Sequence, residues 1–213
     1  MKGLLLKDFM TFSKKIKPIN RIILVVVIAI LLITLKSVGA ISISIMLPVF
    51  ASSLPISLSI SDEQWKWDRY AISMPITRRK IVESRYVFCL AILCLLTLIA
   101  FALNVGTYFI FHEFEFAFHI GIALAGFSIG VIYLLLVIPA GYILGINGSS
   151  AVMIIVFALV VGGSYLFRTF PLQIKLPATL NFGVICVGIV LAGIVLAIIS
   201  VAISVKAYSK KHS

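Results

Sequence analysis

His112, Glu113, Glu115 and His119 are the residues of this chain whose types most readily do chemistry, since imidazole nitrogens and carboxylate oxygens at short spacing can hold a divalent metal. Their spacing matches no defined metal motif, and both acids stand beside aromatic residues, so the group reads as a solvated cap between two helices and no metal is expected. Cys89, Cys94 and Cys186 all fall inside apolar stretches, the first two on different faces of a helix, which predicts free buried thiols rather than a disulfide or a metal site. There is no phosphate-cradling G-x-x-x-x-G-K-[ST] loop, no nucleophile elbow, and no HExxH or CxxC pattern. The residues point to a non-catalytic chain, with any energy source lying in another polypeptide or an ion gradient. Polar chemistry concentrates instead in one insert, Asp62 to Arg85, where acids, bases and three aromatics share a single stretch.

The elements that must position this insert are set by composition. Of 213 residues, 62% are hydrophobic and 12% charged, and the mean hydropathy is +1.21; a soluble domain carries about 25% charged residues. Apolar runs recur at Ile22 to Leu35, Ala40 to Ile60, Tyr86 to Phe111, Ala117 to Ile143, Ala151 to Phe167 and Leu180 to Val205. Each approaches or exceeds the roughly 20 residues that cross a bilayer, where only helices satisfy their own backbone polar groups. The expected fold is an all-α polytopic membrane protein with six transmembrane helices, a single transmembrane domain over residues 1–213. The first and fifth runs are short, and flanking Arg21, Lys36 or Arg168 are expected to snorkel toward the head groups.

Orientation follows from the 18 basic residues. Six precede the first span, six lie between the second and third, and Lys206, Lys210 and Lys211 close the chain; only Lys36, Arg168 and Lys175 fall on the other side. The positive-inside rule puts both termini and the insert in the cytoplasm of a multi-pass cell-membrane protein. The net charge of +11 is then a topology signal with anionic lipid as a partner, and implies no nucleic acid. A signal-peptide reading of the N-terminus competes poorly, because the basic region has its own pattern. On a helix over residues 1–18, Leu5, Phe9, Phe12 and Ile16 share one face and Lys7, Thr11, Lys14 and Lys15 lie opposite, as in an amphipathic interfacial helix ended by Pro18; a plain membrane anchor is the alternative.

The central parts of the spans contain no Asp, Glu, Lys, Arg or His, and Asn104 is their most polar group, which counts against an ion-coupled carrier and an intramembrane protease. Small residues recur instead. Gly126 to Gly130 is a GxxxG in the fourth helix, and Gly183, Gly188, Ala192, Gly193 and Ala197 line the sixth; intramolecular packing is the leading explanation and a dimer seam the other. The second helix combines Pro48 and Pro55 with six serines, whose hydroxyls can re-satisfy carbonyls freed by proline or form a mildly polar wall along a substrate path. Pro139, Gly141, Gly145 and Gly148 predict a break near the end of the fourth helix.

Within the insert (residues 61–85 as a cytoplasmic loop), Asp62 to Tyr70 suits the membrane interface or a continuation of the second helix, and Met74-Pro75-Ile76-Thr77 breaks the chain. Thr77 is placed to N-cap a short helix Arg78 to Arg85, on which Ile81 and Val82 could pack against an apolar surface beside Arg78, Arg79 and Lys80. Three positively charged residues in a first helical turn oppose the helix dipole, so this helix is not built to stand alone.

These residues carry a resemblance. The opening Met1-Lys2-Gly3-Leu4-Leu5-Leu6-Lys7-Asp8-Phe9, the Asp62-Glu63 to Trp67-Asp68 block and the Met74 to Arg78 pattern, followed by Ile81-Val82 and Arg85-Tyr86, resemble the small ABC-2 permeases of Gram-positive bacteria, and among these the permeases of phenol-soluble modulin exporters. The resemblance implies an exporter of the type V fold in which two permease chains, identical or related, rest on separately encoded ATPase subunits that bind ATP and Mg. It implies a coupling helix at Thr77, Arg78, Arg79, Lys80, Ile81 and Val82, and a cytoplasmic gate at Asp62, Glu63, Trp65, Trp67 and Asp68. Amphipathic peptides or other membrane-active compounds are the implied cargo. A stand-alone membrane adaptor or immunity protein, and an ion-coupled secondary carrier, are the alternatives.

Overall fold

A computed structural model describes residues 2–15, 18–73, 76–111, 115–145, 147–156, 158 and 182–211, and among them every regular element is a helix. In chain order these are α1 (Lys2–Lys15), α2 (Pro18–Ser52), α3 (Leu54–Gln64), α4 (Trp67–Ser73), α5 (Arg78–Phe111), α6 (Phe116–Leu144), α7 (Asn147–Val156) and α8 (Phe182–Lys211).

Helix α2 is not one rod. At Lys36 the backbone turns to φ 48° and ψ −123°, and a Cβ on Gly39 would run into the carbonyl oxygen of Leu31. Residues eight apart on a straight helix are separated by roughly 12 Å along its axis, so α2 is a hairpin whose arms, residues 18–35 and 37–52, run antiparallel. Ile43 and Leu47 of the second arm pack with Ile28, Leu31 and Leu32 of the first and with Ala100 and Leu103 of α5. Among the described residues four apolar stretches are long enough to cross a bilayer, Ile22–Gln64, Arg78–Phe111, Phe116–Leu144 and Gly193–Lys210, and the first of them folds back on itself at Lys36. The first and second expected runs are therefore separate helical arms joined by a tight turn. Of the expected fifth run, Ala151 to Val156 is the end of α7; nearly all the rest, with Arg168 and Lys175, lies outside the described residues.

Proline and glycine set how the arms meet α6. Pro48 has no N–H, which leaves the Ser44 carbonyl without its helical partner. Gly126 lies against that carbonyl so closely that a Cβ could not be accommodated, and a Cβ on Gly130 would lie 3.1 Å from the Pro48 ring. The Ser52 hydroxyl sits 2.6 Å from the Pro48 carbonyl oxygen and 2.7 Å from that of Gly130. The GxxxG of this helix is thus spent inside the chain, where small residues let two backbones approach. On α8, Gly193 faces open space; the side chains at Gly183, Cys186, Gly188 and Ala192 lie outside the described ones.

Helix α8 is fastened through hydroxyls. The Tyr86 oxygen lies 2.6 Å from Ser200 Oγ and 2.8 Å from Ser204 Oγ, and Ser200 Oγ donates to the Leu135 carbonyl at 2.6 Å. This chain ties α5, α8 and α6 together beside the main core, where Leu58, Val82, Phe88, Cys89, Leu93 and Leu134 meet.

Helix α1 lies against one end of the bundle and turns part of its polar face inward. Leu4, Asp8 and Thr11 are buried, Leu5 and Phe12 are partly packed, and Leu6, Phe9 and Met10 point outward. Leu5 and Phe12 of the expected apolar stripe meet the core, Phe12 edge-on to Phe88, while Asp8 and Thr11 are drawn inward where the receiving surface is charged. The same end carries the last turn of α3, the start of α5 and the end of α8. Lys36 belongs to the opposite end, with its ammonium 5.8 Å above the Phe111 ring. The basic segments that the sequence groups together are thus together in space.

Candidate functional site

The centre of the α1 end is a cluster of two acids and two bases drawn from three helices. Lys7 Nζ lies 2.8 Å from Asp62 Oδ1 and 3.1 Å from Asp8 Oδ1. Arg85 Nη2 donates to Asp62 Oδ2, and Arg85 Nε lies 3.6 Å from Asp8 Oδ2. Asp8 is 2% exposed and Arg85 8%, so the cluster is desolvated. Buried charges survive only when paired, and here two positive and two negative charges balance. Asp62 occupies the last turn of α3, where the helix dipole disfavours an anion, and Lys7 and Arg85 offset that cost. Lys15 adds a second tie between α1 and α3, its Nζ donating to the Ser57 carbonyl at 2.8 Å.

The rest of the acidic and aromatic block continues from this cluster. After Gln64 the chain turns through Trp65 and Lys66, the latter at φ 52°, and re-enters a helix at Trp67. Trp67 is half-buried, its ring 4.3 Å beneath the Lys7 ammonium and 5.6 Å from the Tyr70 ring, whereas Glu63 and Trp65 are exposed. Asp68 lies on α4 with its side chain outside the described ones. Of the residues expected to form one gate, the structure brings Asp62 and Trp67 together around Lys7 and leaves Glu63 and Trp65 exposed.

Arg78 to Arg85 is not a separate short helix. It is the first two turns of α5, which runs unbroken to Phe111. Thr77 stands at the N-cap position, its carbonyl accepting from the amides of Lys80 at 2.9 Å and Ile81 at 3.4 Å. Thr77, Arg78, Arg79 and Lys80 are exposed, but Val82 is fully buried and Ile81 packs partly against the core, so the apolar surface they meet is the chain's own. Arg78 Nη1 donates to the Ser209 carbonyl on α8 at 3.2 Å, and Arg79 Nε to Glu83 at 2.6 Å. Lys206 and Lys210 are exposed on either side of that α8 contact. The surface around Arg78 is thus built from α5 and α8, a contribution from the C-terminal helix that linear reading of the insert misses.

Two small open recesses adjoin the cluster and share Ser59, Arg85, Gly141 and Tyr142 in their walls. The inner one reaches Pro55 and Ser149, and the outer one reaches Trp67 and Tyr208. Helix breaks converge here: Pro55 opens α3, and α6 ends at Gly145, whose φ is 69°. The break expected from Pro139 to Gly148 falls at Gly145, with Pro139 itself inside α6.

Of the His and Glu residues on the outer side, the structure describes Glu115 and His119. His119 is buried in the first turns of α6, not in a solvated loop, with Nδ1 2.6 Å from Asn104 Oδ1; Asn104 Nδ2 donates to the His119 carbonyl at 3.3 Å. Glu115 is exposed, and His112 and Glu113 lie outside the described residues. The periodicity of α6 could have placed His119 on a buried face, since Ala123, Gly126 and Gly130 follow it at helical spacing.

Hydrophobic helices long enough to span a bilayer, without catalytic constellations among the described residues and with a braced charged end, define a polytopic helical membrane protein. Residues 3–209 match the family described as ABC-2 family transporter protein, and the chain belongs to that family. It is the membrane component of an ABC transporter, a class whose permeases are typically non-catalytic and work with an ATPase partner. No curated protein and no solved structure matches the chain.

Proposed function

We propose that this chain is the permease subunit of an exporter for amphipathic peptides or other membrane-active compounds, driven by a separate ATPase through the exposed first turn of α5. Both termini and the insert face the cytoplasm, as the grouping of basic residues at one end supports. Two such chains, identical or related, form the transport unit, and ATP and Mg bind to the ATPases.

The observation that carries this reading is the continuity of α5. Thr77, Arg78, Arg79 and Lys80 are exposed at one tip, Val82 and Arg85 are locked in the core and the charge cluster, and the helix is unbroken to Phe111. At 1.5 Å per residue, 34 residues span roughly 50 Å, beyond the ~40–45 Å of a bilayer with its head groups. The tip is therefore within reach of a soluble subunit, and a push on it moves a stiff rod rather than a loop. Arg78, Arg79, Lys80, Lys206 and Lys210 suit an acidic docking surface on the ATPase.

Reconstitution of the chain in liposomes with and without the ATPase of its own transport system tests the proposal. ATP-dependent efflux of a labelled amphipathic peptide, absent without the ATPase, is the expected result. Efflux that follows a proton or sodium gradient and ignores ATP would contradict it.

A further inference from the structure

Helix α3 is held unequally on its two sides. Arg85 of α5 and Lys7 of α1 both donate to Asp62 in its last turn, and Lys15 Nζ of α1 lies 2.8 Å from the Ser57 carbonyl oxygen and 3.4 Å from Ser61 Oγ. Toward α6 and α7, among the described residues, α3 makes no hydrogen bond and no ion pair. Leu58 is its contribution to the main core. Beyond that, Pro55 and Ser59 share the wall of the inner recess with Val137, Ile138, Gly141 and Ser149, and a Cβ on Gly141 would stand 4.0 Å from Ser59 Oγ. Parting α3 from α5 and α1 strands buried charges, whereas parting it from α6 leaves no donor or acceptor without its partner.

The backbone is broken at both ends of α3. Before it, the Ser53 amide donates to the Phe50 carbonyl and the Ile56 amide to the Ser53 carbonyl, the i to i−3 bonds of a tightened turn, and Pro55 has no N–H to give. Such a turn inside a helical stretch is where helices hinge. After it, the chain turns through Trp65 and Lys66, the latter at φ 52°. An 11-residue helix bounded in this way can move as a unit without bending its neighbours.

We propose that α3 is the moving wall of a cytoplasmic gate: tied to α5 and α1 through Asp62 and Lys15, it swings about the Ser53 to Pro55 turn and parts from α6 along the seam between Ser59 and Gly141. Asp62 and Arg85 are then positioning residues that pass a displacement of the α5 tip on to α3, and the two recesses mark where the seam opens. The edge of this gate is Ser59 against Gly141, and Asp62 is its tie. The inference rests on the permease reading for what drives the swing, but the swing itself is measurable in the chain alone, so the two can fail separately.

Ser59→Cys with Gly141→Cys sets two thiols across the seam within reach of a disulfide. In liposomes with the ATPase, ATP-driven efflux of a labelled amphipathic peptide should fall at least tenfold on oxidation and return on reduction, while oxidant leaves each single variant unchanged. Full efflux from the cross-linked chain would overturn the proposal. Absence of ATP-driven efflux from the unsubstituted chain would instead contradict the permease reading. The full chain alone, in lipid nanodiscs and carrying Cys89→Ala, Cys94→Ala and Cys186→Ala, decides the swing in that case, and also if Gly141→Cys fails to fold. Spin labels at the exposed positions Gln64 and Leu98 report α3 against α5, and labels at Gln64 and Leu124 report α3 against α6. Pulsed dipolar spectroscopy should give a narrow distance distribution for the first pair and one at least twofold broader for the second, and Asp62→Asn should broaden the first. Equal widths for the two pairs, or a first pair indifferent to Asp62→Asn, would overturn the proposal.

Discussion

Lys7 and Asp62, 55 positions apart in sequence, meet at 2.8 Å across the join between the N-terminal helix and the polar insert. Each is a surface charge by composition, yet neither is free to serve as one. Their pairing fixes α1 to the bundle by electrostatics, with Asp8 and Arg85 completing the balance.

Removing one member of this cluster leaves a desolvated charge behind. Asp62→Ala should destabilise the protein by about 3–5 kcal/mol, the usual cost of breaking a buried pair, read by thermal unfolding in detergent. Lys7→Ala added to it should cost much less than it does alone, because the two share one interaction. Full additivity in the double-mutant cycle would show that they do not.

Gly126 and Gly193 provide a matched contrast. A methyl at Gly126 collides with the Ser44 carbonyl, whereas at Gly193 it meets nothing within 4 Å. Gly126→Ala should lower stability by about 1–3 kcal/mol as an overpacked backbone contact. Gly193→Ala should be neutral or slightly stabilising, since alanine is the better helix former by about 1 kcal/mol. Comparable losses at both sites would speak against the α2 to α6 contact described above.

Tyr86→Phe removes one hydroxyl that serves two serines of α8. A loss of about 1–3 kcal/mol is expected from buried partners left wanting, with α8 becoming more accessible in hydrogen exchange. Unchanged exchange in α8 would mean that apolar packing alone holds it.

Much of this architecture is legible in the chain. The apolar runs announce the long helices that the structure describes, and Gly126 to Gly130 marks a close helix approach, because each effect is local or periodic. The site is less legible. Asp62 and Arg85 read as parts of a hydrophilic loop, and Asp8 as a mid-helix residue of an interfacial helix, because their pairing is a contact across tens of residues that no spacing encodes. The same contact rotates α1, drawing Asp8 inward and leaving Phe9 outside. Val82 looks like a docking residue beside three bases, but α5 does not stop at Arg85, and its continuation places Val82 in the core. His119 reads as part of an outer cap, and its burial beside Asn104 follows from the turn of α6 rather than from its neighbours in sequence.

The most direct test of the central claim is the ratio of peptide exported to ATP hydrolysed by the reconstituted transporter carrying Arg78→Glu together with Arg79→Glu. Both side chains are exposed, and their bonds to Ser209 and Glu83 are of the kind worth about 0–1 kcal/mol, so the fold should persist. The account predicts normal insertion with ATPase binding weakened or transport per ATP reduced at least tenfold. Unchanged ATPase binding together with an unchanged ratio would contradict it.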